Sequence, residues 1–379
     1  MQKRIRIVSV GIVLVILLIG IIVMNNNSNN KYSFTQDGIK YALTLDGNKV
    51  TSFPSKGMYK AQVTCVGADG RWLYDDWKLA IENITSDDVT CDINFNTITK
   101  TNLNDYIISL AGTTQGTVQV VNENGYRYEG KNPNNYIWFN NEYWRIIGVF
   151  DSASHGVSGK NLVKIIRADV LDGLAWDKSN TNNWDTSSLN KLLNGAYYNA
   201  QDGTSSGYCY GYTTTATANC DYTKKGIQAG FRKMIASVTW HLGGDSSTSA
   251  TSSAFYGYER GTTVYSGRPT STTGYIGLMY PSDYGYSVLA SSCARTTNLG
   301  SYYNETCAGQ SWLYGKGYEW TLTPYSSGGN SVFHLYSYLG LSYNVACNGY
   351  GSRPVLYLDA SVYKIGGDGS LKNPYIVGM

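Results

Sequence analysis

The sequence predicts an α+β chain: an N-terminal transmembrane helix, a small disulfide-stapled β domain, then a larger mixed domain with long loops. Three observations carry that expectation. Residues 7–24, IVSVGIVLVILLIGIIVM, contain no charge and no proline. Six of the 7 cysteines fall as sequence neighbours beyond that stretch. The rest of the chain is rich in β-branched and aromatic residues, with 34 tyrosines and only 7 prolines.

The apolar stretch comes first. At the helical rise it spans about 27 Å, close to the ~30 Å hydrocarbon core of a bilayer. Lys3, Arg4 and Arg6 precede it, and the neutral run NNNSNN (25–30) follows. That asymmetry predicts a single-pass anchor in the cell membrane, with the N-terminus inside and the bulk of the chain extracellular. A cleaved signal peptide shares the basic and apolar segments. Here the apolar run is long for one, and no small-x-small site precedes Asn25.

The predicted divisions are a stub and anchor over 1–24, a linker over 25–31, a small β domain over 32–100, a connector over 101–131 and the large domain over 132–379. In the small domain KYALTLDGNKV places Asp46-Gly47 between two strand-like arms, a hairpin signal. YKAQVTCVG and DVTCDINF read as strands with one cysteine each. NLNDYIISL in the connector reads as a short helix. In the large domain NYIWFNNEYWRIIGVF reads as a hairpin turning at Asn140-Asn141, followed by the strand LVKIIRADV. TSSLNKLLNGAYYN reads as a capped amphipathic helix and SSAFYGYERG as a short one. GYIGLMYPSDYGYSV reads as a strand into a turn, SWLYGKGYEWTLTP as a hairpin, SVFHLYSYLGLSYNV as alternating, and SRPVLYLDAS as the last buried strand.

Charged residues make up 15% of the chain, against ~25% in ordinary domains. Polarity comes from Asn, Ser, Thr, Gly and Tyr, a surface that stacks and hydrogen-bonds. A net charge of +3 without basic clusters outside the N-terminus excludes nucleic acid as the expected partner. Outside the cell the default reading of the cysteines is disulfides. Sequence neighbours suggest Cys65 with Cys91, Cys209 with Cys220 and Cys293 with Cys307, although spacing alone leaves connectivity open. Cys347 is left over. The 3 histidines, His155, His241 and His334, have no zinc-like spacing, so neither a metal nor a cofactor is expected.

The second half resembles a family of uncharacterised surface and phage-associated proteins of Gram-positive bacteria. The matching pieces are YEGKNPNNYIWFNNEYWRIIGVF, NNWDTSSLNKLLNGAYYN, ERG, GLMYPSDYGYS, SWLYGKGYEWTLTP, GSRPVLYL and the closing GGDGSLKNPYIV. GLMYPSDYGYSVLA is also distantly similar to a strand-and-turn of formylglycine-generating-enzyme-like domains, and SRPVLYL to the strand that ends them. That resemblance implies a C-type-lectin-like fold for 132–379. It does not extend to activity: the copper-binding cysteine pair and the sugar-calcium motif are both absent.

No catalytic residue is expected. Gly203 to Gly207 matches G-x-S-x-G, but within a Ser/Gly-rich loop rather than a strand-to-helix turn. Glu259 and Glu319 have no partner at a recognisable spacing. The candidate ligand-binding residues are Tyr325, Tyr336, Tyr338, Tyr343, Asn344, Asn348 and Tyr350, a loose Tyr/Asn cluster suited to adaptable recognition. In C-type-lectin-like proteins the stretch before the final strand often forms the ligand face. The expected function is an extracellular binding or adhesion protein for a glycan or protein. A cell-surface hydrolase or oxidase on the same scaffold, and a structural assembly subunit, remain the alternatives.

Overall fold

The computed structural model describes residues 6–7, 31–56, 59–74, 76–97, 100–112, 120–212, 218–303, 305–314, 317–336 and 340–379. The chain divides into two compact units, Met1–Lys100 and Thr101–Met379.

The first unit is all β. Its strands are β1 (Arg6–Ile7), β2 (Phe34–Gln36), β3 (Ile39–Leu45), β4 (Asn48–Val50), β5 (Tyr59–Val66), β6 (Asp69–Leu73), β7 (Lys78–Glu82) and β8 (Val89–Thr97). One sheet runs β2-β3-β8-β5 with β4 on β3; the other runs β1-β7-β6. Alternation along β3 and β8 sends Ile39, Tyr41, Leu43, Val89, Cys91, Ile93 and Phe95 into one core. Trp72 and Phe95 meet edge to face at 4.9 Å in it. Cys65 and Cys91 lie directly opposite on β5 and β8 and are joined by a disulfide. Gly70 makes room for it, since an added Cβ would lie 2.4 Å from Cys65 Sγ.

The second unit begins with β9 (Thr101–Asn102), α1 (Leu103–Ser109), β10 (Val120–Asn122) and β11 (Tyr126–Tyr128). The hairpin of β12 (Tyr136–Phe139) and β13 (Glu142–Phe150) follows, then α2 (Ser152–His155), β14 (Leu162–Arg167), β15 (Leu171–Ala175) and α3 (Ser188–Leu192). Next come α4 (Ala229–Arg232), β16 (Val238–His241), α5 (Ser252–Glu259), β17 (Ser271–Gly274), β18 (Ile276–Gly277) and α6 (Pro281–Ser287). The chain ends through β19 (Glu319–Pro324), β20 (Ser331–Tyr336), β21 (Gly340–Val345), β22 (Gly349–Ser352), β23 (Val355–Leu358), β24 (Tyr363–Gly366) and β25 (Tyr375–Gly378).

The main sheet runs β18-β23-β14-β13-β12-β25-β24-β9, with β11 also on β13 and β10 on β11. A second sheet runs β15-β22-β19-β20-β21, and β16 pairs β17. Residues 101–131, read from sequence as a connector, therefore contribute β9 to one end of the main sheet and β10 and β11 beside β13. Nor is the SRPVLYL strand the last, because β24 and β25 follow it. Disulfides join Cys209 to Cys220 and Cys293 to Cys307 in this unit, each closing a short loop worth about 3 kcal/mol in the chain-entropy model.

The expected transmembrane anchor and cell-membrane location are corrected. Among the described residues no helix is long and apolar enough to cross a membrane, and the longest α-helix, α5, has 8 residues. Ile7, the first residue of the expected span, belongs to β1, whose Arg6 and Ile7 pair antiparallel with Ile81 and Ala80 of β7. Residues 8–24 of that span, and the linker residues 25–30, lie outside the described residues. An Ile/Val-rich apolar run has no periodicity that separates helix from strand. The α+β class with a C-type-lectin-like mixed domain is corrected too. The structure is mostly β, 38% strand against 15% helix. Its aromatic and β-branched residues favour pleated surfaces, and its helices are short pieces between strands.

One local expectation also changes. PSDYGYS is a buried helix, α6, rather than a turn. Pro281 occupies the first turn, where its missing N–H costs nothing, and Asp283 accepts from the Tyr280 backbone N–H at 2.9 Å.

Candidate functional site

Tyr325, Tyr336, Tyr343 and Tyr350, four of the five tyrosines singled out in the sequence, gather at two places on the second sheet. Alternation sends Tyr318 and Trp320 to one face of β19 and Glu319 to the other. On the first face His334 of β20 pairs with Trp320. Tyr350 of β22 stacks on Tyr318 at 4.8 Å and 23°, and Tyr336 lies 4.7 Å from Tyr318. The Nδ2 groups of Asn344 and Asn348 both donate to Tyr350 Oη, at 2.8 and 3.2 Å. These amides, expected among the ligand-binding residues, orient a tyrosine. Tyr318 is 41% exposed, while Tyr336 and Tyr350 are half-buried. A hydrogen bond with Tyr336 pushes the Tyr318 hydroxyl up to about 12.

The second place holds Tyr325 and Tyr343, stacked at 4.2 Å and 18°. Tyr343 is 44% exposed and pairs across the sheet with Phe333. The turn carrying Tyr325 is pinned by Asn182, itself 1% exposed. Asn182 Nδ2 donates to the carbonyls of Tyr325, Gly328 and Ser331 at 2.8, 2.7 and 3.1 Å. Arg268 donates to Asn182 Oδ1 at 3.1 Å and holds it in place. Tyr338 lies outside the described residues. Sequence reasoning missed Tyr318, although its spacing from Trp320 in GYEWTL was a usable signal.

A cleft of about 490 Å³ is lined by Tyr136, Tyr143, Arg145, Trp312, Tyr314 and Arg353, among others. Its geometry starts from a turn. Asn140 and Asn141 both adopt positive φ, 57° and 59°, as a two-residue hairpin loop requires. That turn sets Tyr136 opposite Arg145 across β12 and β13. The Arg145 guanidinium consequently lies 4.3 Å from the Tyr136 ring, and Trp312 flanks it at 4.6 Å. Arg145 Nε donates to Asn135 Oδ1 at 2.8 Å. Burial, with Arg353 as a second cation nearby, pulls the Arg145 pKa down to about 10. Arg353 is matched: it donates from Nε and Nη2 to Glu319 and from Nη2 to the Leu313 carbonyl at 2.8 Å. Burial raises the Glu319 carboxyl while Arg353 opposes the rise. Glu319, without an evident partner in sequence, is thus half of a buried ion pair.

Other buried charges are closed in. Asp283 accepts from Arg127 at 2.9 Å and Lys164 at 2.5 Å, all three side chains being about 1% exposed. Glu259 accepts from Ser282 N at 2.8 Å and pairs with Arg260 at 3.1 Å. Burial lifts the Glu259 carboxyl to about 7 and lowers the Lys164 ammonium to about 8. His155, His241 and His334 hydrogen-bond to backbone groups. Ser205 and Ser206 of the G-x-S-x-G string sit in an exposed loop, flanked by neither strand nor helix. Among the described residues no group of His, Cys, Asp or Glu could hold a metal ion.

No protein-family model, curated protein or solved structure matches this chain.

Proposed function

We propose that the chain is an extracellular recognition protein that holds a glycan or protein ligand against the tyrosine stacks of its second unit. The observation that carries this reading is the pair of exposed stacks, Tyr318 on Tyr350 and Tyr325 on Tyr343. Stacked rings held by backbone-anchored side chains offer large contact area at little further entropy cost. The three disulfides fit an oxidising compartment.

A glycan array and a cell-surface pull-down test it, each run with the folded chain, Tyr318→Ala and Tyr343→Ala. The expected result is a retained ligand in one assay that at least one substitution weakens tenfold or more. No ligand in either assay, or a ligand indifferent to both substitutions, overturns the reading.

A further inference from the structure

The Arg145 cleft departs from the way the molecule treats its other buried cations. Arg145 is 8% exposed, yet no carboxylate pairs with it among the described residues. Its Nη1 and Nη2 reach only the carbonyls of Trp312 and Pro133, each at 3.4 Å, beyond the usual range of a good N–H···O bond. The planar fork of the guanidinium is therefore scarcely used. An unmatched cation taken out of water is costly, and here a second guanidinium lies close enough to disfavour it further. An anion entering from the cleft would relieve both costs.

We infer that this cleft binds a monoanionic carboxylate carried on a ring-shaped ligand, seated on the Arg145 fork. Charge balance selects the monoanion. The buried charges are Arg145, Arg353 and Glu319, leaving one positive charge unmatched. A phosphate dianion would exceed that charge and meet Glu319, with the exposed Asp169 also lining the cleft. Guanidinium geometry favours a carboxylate, which accepts two parallel hydrogen bonds. The rings of Tyr136, Tyr143, Trp312 and Tyr314 select a ligand with a flat or C–H-rich face. The volume lies within the ~300–1,000 Å³ usual for small-molecule sites. An acidic sugar and an aromatic acid share this chemistry.

The test is calorimetric titration of the full chain at low salt with sodium glucuronate, sodium benzoate, glucose and glucose 6-phosphate. The expected result is saturable binding of glucuronate or benzoate, at least tenfold tighter than glucose and glucose 6-phosphate. Glucuronate alone identifies the sugar, benzoate alone the aromatic acid. Arg145→Gln is expected to weaken that binding at least tenfold with an unchanged near-ultraviolet dichroism spectrum. Arg145→Lys keeps the charge without the fork and is expected to lose several-fold, serving where the Gln variant does not fold. The inference is overturned if neither carboxylate binds, if glucose or glucose 6-phosphate binds as tightly, or if both variants bind like the parent chain. Such a failure leaves the reading of the tyrosine surface intact, because that reading is tested at other residues.

Discussion

Two regions of the second unit bury cations and treat them in opposite ways. Behind α6, Arg127 and Lys164 both bond to Asp283, which also closes the first turn of that helix. At the cleft, Arg145 is buried nearly as deeply but meets only neutral groups and aromatic rings. Burial of charge is common to both, so burial alone does not mark a site. Compensation separates them: a cation matched from within holds the fold, and one left unmatched beside open space is poised for something from outside. The largest expected effect tests the first half of that contrast. Asp283→Asn strands two buried cations, so urea denaturation should show a loss of about 3–5 kcal/mol. A loss under about 1 kcal/mol would mean that the pairing behind α6 contributes little, and the contrast would collapse.

His334 shows a third treatment, neutralisation. It is 2% exposed beneath the Tyr318–Tyr350 stack, and burial drops its pKa from 6.5 to about 4. Because the folded value lies below the unfolded one, the neutral ring's contribution is present above about pH 6.5 and is lost as the pH falls toward 4. The difference is worth about 3 kcal/mol. Stability measured from pH 7 to pH 4 should therefore fall less in His334→Gln than in the parent chain. His155 and His241 are lowered in the same direction by burial and remain in both proteins, so the comparison isolates His334. Parallel curves would show that the buried ring is not the group that resists protonation.

What could be read from the sequence follows the range of the interactions. Asn140-Asn141 announced its hairpin because the signal and the turn occupy the same two residues. Short helices were legible at 103–109, 188–192 and 252–259, the second of them from its Ser187 cap and the apolar face of Leu189, Leu192 and Leu193. α6 was read as a turn although Pro281 and Asp283 form a helix-start signal. The apolar stretch 8–24 lies outside the described residues, and its composition, without periodicity, is compatible with more than one structure. The cleft had no local signature at all. Arg145, Trp312 and Arg353 come together only when β13, the loop before β19 and the end of β22 converge, so no spacing could reveal their proximity.

The second half of the contrast predicts a smaller effect on stability. Arg145→Met removes an uncompensated buried charge and substitutes an apolar chain of similar length. It also forfeits one good hydrogen bond, to Asn135. These contributions oppose each other, so unfolding should shift by no more than about 1 kcal/mol in either direction. A loss approaching that of Asp283→Asn would show Arg145 to be a structural cation like Lys164, and the cleft would lose its claim to a ligand.

A comparably small effect is expected at the exposed stack. Tyr343→Ala removes from β21 a ring that is 44% open to solvent and stacked on Tyr325, whose turn Asn182 and Arg268 hold through backbone carbonyls. Since that scaffold does not depend on the ring, the loss should stay near the ~0.5–1.5 kcal/mol of an aromatic pair. Phe333 meets Phe255 edge to face at 5.3 Å as well as Tyr343 at 6.2 Å, so it keeps one aromatic neighbour when Tyr343 is removed. A thermal melt of Tyr343→Ala close to the parent's would mean the ring is retained for something other than stability, as a recognition surface requires. A loss of several kcal/mol would instead make Tyr343 a lid on the core, and the Tyr325–Tyr343 stack would join Asp283 among the features that hold the fold.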